Sequence, residues 1–126
     1  MHHYFAGMSV GIIVLQTAIV APSMVKTLSR DDFGRSIRTI WPKFFLLVAA
    51  TGAGGLAALI ASGSPTALQY GIAAATIVCP LICHAIIPAT NRATDSGDNA
   101  AFKRLHLTSV LLTIAVLLAN LAALAA

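Results

Sequence analysis

Residues 44–91 read FFLLVAATGAGGLAALIASGSPTALQYGIAAATIVCPLICHAIIPATN and contain no Asp, Glu, Lys or Arg. A helix that crosses a bilayer needs about 20 apolar residues, so this stretch is long enough for two crossings. Near its middle stands Ser62-Gly63-Ser64-Pro65, a sequence that is typical of a turn. The stretch therefore predicts two antiparallel membrane-spanning helices joined by a short loop.

The sequence on either side extends the same pattern. Residues 1–25 and 105–126 also lack charged side chains, and each is long enough for one crossing. The 126-residue chain is 58% apolar and 10% charged, whereas an ordinary soluble domain is about 25% charged. Backbone groups in hydrocarbon must satisfy their own hydrogen bonds, which favours helices. We predict a single all-α domain over residues 1–126, an integral membrane four-helix bundle with spans at about 4–22, 44–61, 67–88 and 105–125.

The charged residues are confined to one side of the predicted membrane. All eight Lys and Arg residues fall in the two loops at 23–43 and 88–104, and the loop between the second and third spans has none. By the positive-inside rule both charged loops are cytoplasmic and both termini lie outside, in a bacterium across the inner membrane. Basic residues beside apolar spans favour contact with anionic lipid rather than nucleic acid.

The first charged loop contains an apolar pattern of its own. Its apolar residues, at helical spacing, are Phe33, Ile37, Ile40 and Trp41. Ser29 followed by Asp32 resembles a helix cap, and Pro42 is expected to end the segment. We expect a short amphipathic helix that lies in the membrane interface as an anchor. Pro22 and Pro88 are likewise expected to close the first and third spans.

Polar residues recur along single faces of three predicted spans. They are His106, Ser109, Thr113 and Asn120 in the fourth span, Gln69 and Thr76 in the third, and Gln16 in the first. Polar side chains in hydrocarbon turn inward and bond across helices. Two interpretations follow. The stripes supply interhelical hydrogen bonds, or they line a ligand cavity or a permeation path.

Two histidines near the cytoplasmic ends of their spans raise a second possibility. His84 follows Cys83, and His106 is expected at a similar depth. Imidazole and thiolate side chains bind copper or zinc, and a histidine pair can ligate haem. However, adjacent helical residues point about 100° apart, and no span contains an acidic residue or a Cys-x-x-Cys pattern. A metal- or haem-binding redox protein therefore stands as the alternative, and copper, zinc or haem would be its cofactor.

Small residues favour close association of the helices. Gly7-x-x-x-Gly11 is the small-residue motif through which membrane helices pack. A bundle of this size buries little surface by itself, so we expect a homo-oligomer or residence in a larger membrane complex. No catalytic triad, phosphate loop or dinucleotide motif is present, which makes an enzyme the less favoured class.

Several motifs resemble one family. They are Gln16 to Ala21-Pro22, Ile40-Trp41-Pro42-x-Phe44-Phe45, Pro88-Ala89-x-Asn91 with Asp95, and Phe102-x-x-Leu105-His106-x-x-Ser109-Val110. They resemble the bacterial proteins of domain of unknown function 4149, a group related to human transmembrane protein 205. The resemblance implies four helices, the inner membrane and no established chemistry. The human relative's association with platinum export keeps transport open.

A second resemblance is to the four-helix family that includes fungal anthrone oxygenases, and it rests on the early Gly and Pro positions and on Pro88-x-x-Asn91. It implies an oxygenase without a cofactor.

Our leading hypothesis is a non-enzymatic inner-membrane protein, either an accessory subunit or a permease for a small solute or metal. The alternatives are the redox or oxygenase protein and a purely structural subunit of a larger complex.

Overall fold

The computed structural model describes residues 1–125 as four helices in an up-and-down arrangement. They are α1 (His2–Thr27), α2 (Arg30–Ser62), α3 (Ala67–Asp95) and α4 (Asn99–Ala125). Each helix is long and apolar enough to cross a membrane. The predicted fold, an integral membrane four-helix bundle, is confirmed.

Each helix packs against two neighbours. α2 contacts α1 and α3, and α4 contacts α1 and α3, whereas among residues 1–125 no Cα atoms of the diagonal helices lie within 8 Å of each other. The four helices thus form a closed square. We call the end that carries all the Lys and Arg residues the basic end, and the end with the α2–α3 loop the charge-free end.

The helix ends follow from local side-chain chemistry. The Ser29 hydroxyl accepts a hydrogen bond from the Asp32 N–H at 3.1 Å, which is the cap expected at the start of α2. Thr66 and Gln69 form a full capping box at the start of α3, with bonds of 3.2 and 2.8 Å. Gly63 ends α2 with φ of 85°, a left-handed conformation that glycine adopts without steric cost.

The helices are longer than predicted at the basic end, because three prolines do not end them. Pro22, Pro42 and Pro88 all lie inside continuous helices. Each proline removes one backbone hydrogen bond, at a cost of about 3 kcal/mol. The flanking turns keep their bonds and the helices pack against their neighbours, which outweighs that cost. Before Pro22 the backbone widens to a π-helix over Leu15–Val20.

The prediction of a separate interfacial helix is therefore wrong. The segment that carries Phe33, Ile37, Ile40 and Trp41 continues directly into α2. At 1.5 Å per residue the 33-residue α2 is about 50 Å long, and the hydrocarbon core is about 30 Å thick. The helix thus projects beyond the membrane instead of lying in its surface. Trp41 packs on Phe44 and Phe45 of the same helix.

Ion pairs connect the projecting ends. The Arg38 guanidinium donates to both Asp95 carboxylate oxygens, at 2.5 and 3.3 Å, and so joins α2 to α3. This hydrogen bond lowers the pKa of Asp95 below its ordinary value. The pair's contribution to stability is accordingly present at neutral pH and is lost as the pH falls through that lowered pKa. Arg35 forms a second pair, with Asp32 one turn away.

Two glycines allow the helices to approach closely. A Cβ atom on Gly52 would lie 2.9 Å from the Thr76 carbonyl carbon, and one on Gly54 would clash with the Phe5 ring. The α2–α3 and α1–α2 contacts thus depend on bare backbone at these positions. Gly7 and Gly11 differ, since a Cβ there would meet nothing within 4 Å.

We predict that Gly52→Ala destabilises the bundle by about 1–3 kcal/mol, because the added methyl group would clash with the backbone of α3. The measurement is reversible unfolding in mixed micelles. Gly11→Ala is the control and leaves the unfolding free energy essentially unchanged. Equal effects of the two substitutions would contradict the close approach of α2 and α3.

Candidate functional site

A buried hydroxyl pair joins the first two helices in the half of the bundle nearer the charge-free end. The Ser9 and Thr51 hydroxyl oxygens lie 2.6 Å apart, and both residues are buried. Each hydroxyl oxygen also lies within hydrogen-bond distance of a carbonyl of its own helix, Ser9 at 3.1 Å from the Phe5 oxygen and Thr51 at 2.7 Å from the Val48 oxygen. Because each hydroxyl has a single hydrogen, one of the two donates to the other hydroxyl and the second donates to its own helix. The pair is thus satisfied without water.

A second buried polar contact joins the other two helices. The Asn120 Nδ2 donates to the Thr76 hydroxyl at 2.9 Å and to the Val116 carbonyl at 2.8 Å. Asn120 is 4% exposed and Thr76 is 1% exposed. The structure therefore brings together two residues that the sequence placed on separate stripes. The Asn120 side-chain oxygen takes no part in these two bonds and can accept further hydrogen bonds.

The Thr51, Thr76 and Asn120 side chains line a cleft between all four helices, which we call the polar cleft. Its polar lining residues are His2, Thr51, Gln69, Thr76 and Asn120, and its volume is about 30 Å³. A cavity of that size holds about one or two water molecules. Gln69 Nε2 lies 3.3 Å from His2 Nε2, so the two side chains meet where α1 and α3 begin. None of the lining residues is Asp, Glu, Lys or Arg.

An apolar layer lies between the polar cleft and the basic end. It consists of Ile13, Phe44, Phe45, Val48, Cys83 and Val116. The second cavity of the bundle is lined by these residues together with Pro80, Leu112 and Thr113, and its volume is about 10 Å³. A space that small admits at most one water molecule. The layer therefore separates the polar cleft from the basic end in this conformation.

The polar stripe predicted for α4 is only partly inside the bundle. Thr113 and Ser109 are half-buried, and the Thr113 hydroxyl donates to the Ser109 carbonyl at 2.7 Å. His106 is exposed and stacks on Phe102, so its predicted place in the lining is wrong. The reason is that only Val116 and Asn120 of α4 are fully buried, and the basic-end half of that helix is less covered.

Gln16 lies where the stripe in α1 was expected. It is 8% exposed, and its Nε2 has no hydrogen-bond partner among residues 1–125. The side chain belongs to the π-helical segment, which changes the helical register after Ile13. It does not line the polar cleft, so Gln16 and Gln69 are not brought together.

The proposed metal ligands do not converge. Within the described residues no three His, Cys, Asp or Glu side chains lie close enough to hold a metal ion, so Cys83, His84 and His106 do not form such a group. Cys83 is buried in the apolar layer, and its thiol makes a long contact of 3.8 Å to the Ser109 carbonyl. His106 is exposed on the neighbouring helix.

Two cleft residues were missed by the sequence interpretation. Thr51 stands alone in the glycine-rich part of α2, where no periodic polar partner marks it. His2 precedes the predicted first span and lies outside the polar stripes. Gln69 was identified, but its capping box with Thr66 was overlooked, although the Thr-x-x-Gln spacing signals it.

The fold and its polar interior define an integral membrane protein of four helices. A family model described as a domain of unknown function (DUF4149) matches residues 4–99. The chain belongs to this family. The match covers α1 to α3 and ends before the Phe102–Val110 motif, so that part of the resemblance lies outside it. No curated protein and no solved structure matches, and the relation to human transmembrane protein 205 stays a prediction.

We predict that Asn120 and Thr76 are energetically coupled. In a double-mutant cycle of Asn120→Leu and Thr76→Val, the coupling free energy should be about 0.5–1.5 kcal/mol, the range of interhelical hydrogen bonds in membranes. Unfolding in mixed micelles supplies the four free energies. The pair Asn120→Leu and Ser9→Ala, which make no mutual bond, should be additive. Zero coupling between Asn120 and Thr76 would refute the hydrogen bond.

Proposed function

We propose that this protein is a non-enzymatic permease of the inner membrane that binds a small uncharged solute in the polar cleft. The observation that carries the proposal is the asymmetry of the bundle interior. Hydrogen-bonding groups from all four helices line one half, and the apolar layer closes the other. Alternating access requires a polar site that can be reached from one side while the other side is closed.

The charge distribution supports an outward-facing cleft. All eight basic residues flank the other end of the bundle, which is cytoplasmic by the positive-inside rule. The polar cleft then faces the periplasm, with His2 and Gln69 at its mouth. In this orientation the apolar layer forms the cytoplasmic gate.

The lining favours an uncharged hydrogen-bonding solute over an ion. No residue of formal charge lines the polar cleft, and burying an unpaired charge in a low-dielectric site is costly. The available groups are amides, hydroxyls and one imidazole, which donate and accept hydrogen bonds. A metal-handling role has less support, because the cleft contains a single potential nitrogen ligand and no carboxylate.

The accessory-subunit hypothesis has a weaker basis. Gly7 and Gly11 lie on α1, with nothing within 4 Å of their notional Cβ atoms. This open face is compatible with a partner helix, and lipid chains fill it equally well. Assembly into an oligomer or a larger complex stays a prediction.

We predict that a cysteine in the polar cleft reacts with a small, charged, membrane-impermeant methanethiosulfonate applied from the periplasmic side. The background carries Cys79→Ala and Cys83→Ala. The test positions are Asn120→Cys and Gly55→Cys. Gly55 lines the cleft and accepts a Cβ with only an ordinary contact to Phe5, so its variant keeps the Asn120–Thr76 bond. Alternating access requires the cleft to open toward the periplasm, and in that state both thiols meet water and the reagent.

Three control variants accompany this measurement. Leu118→Cys places the thiol on the exposed, lipid-facing side of α4, and Val116→Cys places it in the apolar layer; both should be protected. Thr113→Cys, which lines the small cavity within the layer, should also resist the periplasmic reagent. If Gly55→Cys and Asn120→Cys are as protected as Leu118→Cys, the cleft is dry and the permease proposal fails.

A further inference from the structure

The first charged residue beyond every apolar run is basic. Lys26 follows residues 1–25, Lys43 and Arg92 flank residues 44–91, and Lys103-Arg104 precede residues 105–126. All five side chains are exposed. Within residues 1–125 none of the five forms an ion pair with a carboxylate. We call these five residues the basic ring.

The remaining charges stand further from the membrane, and most of them are compensated. The α2 helix runs unbroken from Arg30 through Lys43, so Arg30 lies about 20 Å beyond the ring along the helix axis. This outer zone contains three arginines and all four aspartates. Arg35 pairs with Asp32, and Arg38 pairs with Asp95. We call the part of α2 from Arg30 to Arg38 the stalk.

The basic ring lies closer to the lipid headgroups than the outer zone does. The polar headgroup region of one leaflet is about 6 Å thick, which is half the difference between the full bilayer and its hydrocarbon core. The ring residues border the apolar runs directly, so their side chains reach headgroup level, whereas the far end of the stalk stands beyond it. Uncompensated positive charge is thus concentrated where lipid phosphates lie.

We propose that the basic ring binds anionic phospholipid headgroups and selects phosphatidylglycerol over zwitterionic lipid around the bundle. Lys and Arg donate charge-assisted hydrogen bonds to phosphate. Because the ring contains no carboxylate, it attracts a lipid with a net negative charge more strongly than a zwitterionic lipid. The stalk contributes little to this selection, because its arginines stand farther out and two of its three are already paired. The inference is independent of any solute in the polar cleft.

The experiment compares two removals of equal charge. The full chain is reconstituted in vesicles of equimolar phosphatidylglycerol and phosphatidylcholine and extracted in mild detergent, and the lipids retained per protein are quantified by mass spectrometry. The ring variant is Lys103→Gln/Arg104→Gln and the stalk variant is Arg30→Gln/Arg35→Gln. All four residues are exposed, so both variants should keep the bundle intact, which circular dichroism verifies.

The unaltered protein should retain phosphatidylglycerol in preference to phosphatidylcholine. The ring variant should lower that preference by roughly fivefold for each basic residue removed, and the stalk variant should leave it nearly unchanged. Lys103→Arg/Arg104→Lys, which keeps the charge, should behave like the unaltered protein. Equal losses in the ring and stalk variants, or no lipid preference in the unaltered protein, would overturn the proposal. Lys43→Gln supplies a single-site repeat on a different helix.

Discussion

The hydrocarbon core of a membrane contains no water, and this constraint shapes every part of the bundle. Polar groups that enter it are stabilised by partners inside the protein, and among residues 1–125 the buried Gln16 Nε2 is the side-chain exception. Ser9 bonds to Thr51, and Asn120 bonds to Thr76, so both polar contacts bridge neighbouring helices. These bonds lie in the same half of the bundle, which leaves the other half to be filled by apolar side chains. The division into a polar cleft and an apolar layer follows from that pairing.

The same constraint orders the charges by depth. No formal charge lies within the apolar runs. The five cations that border these runs form no ion pair among residues 1–125, and the acidic residues lie further out beside the remaining arginines. Helices that continue past their spans make this order possible. Because α2 does not end at Pro42, Arg38 projects far enough to reach Asp95 at the end of α3. The long helices thus give the basic end an outer zone whose charges largely form ion pairs, and the basic ring, whose positive charges do not.

The sequence was sufficient for the four spans and their inward faces, because hydropathy and helical periodicity are local properties of the chain. It failed where tertiary packing overrides local preference. Pro42 is a helix breaker in isolation, yet α2 continues through it. His106 shares a helical face with Asn120, but that face is uncovered near the basic end. Thr51 gave no periodic signal, and its role as the partner of Ser9 depends on which helices are neighbours.

The central claim is that the polar cleft faces outward and the basic end faces the cytoplasm. The most direct test places one cysteine in each loop, by Ser64→Cys at the charge-free end and Ser96→Cys at the basic end, both at exposed serines. Intact cells are treated with a membrane-impermeant maleimide before and after the inner membrane is opened. The account predicts that Ser64→Cys is labelled in intact cells and that Ser96→Cys is labelled only after opening. The reverse pattern would contradict the orientation and, with it, the outward-facing cleft.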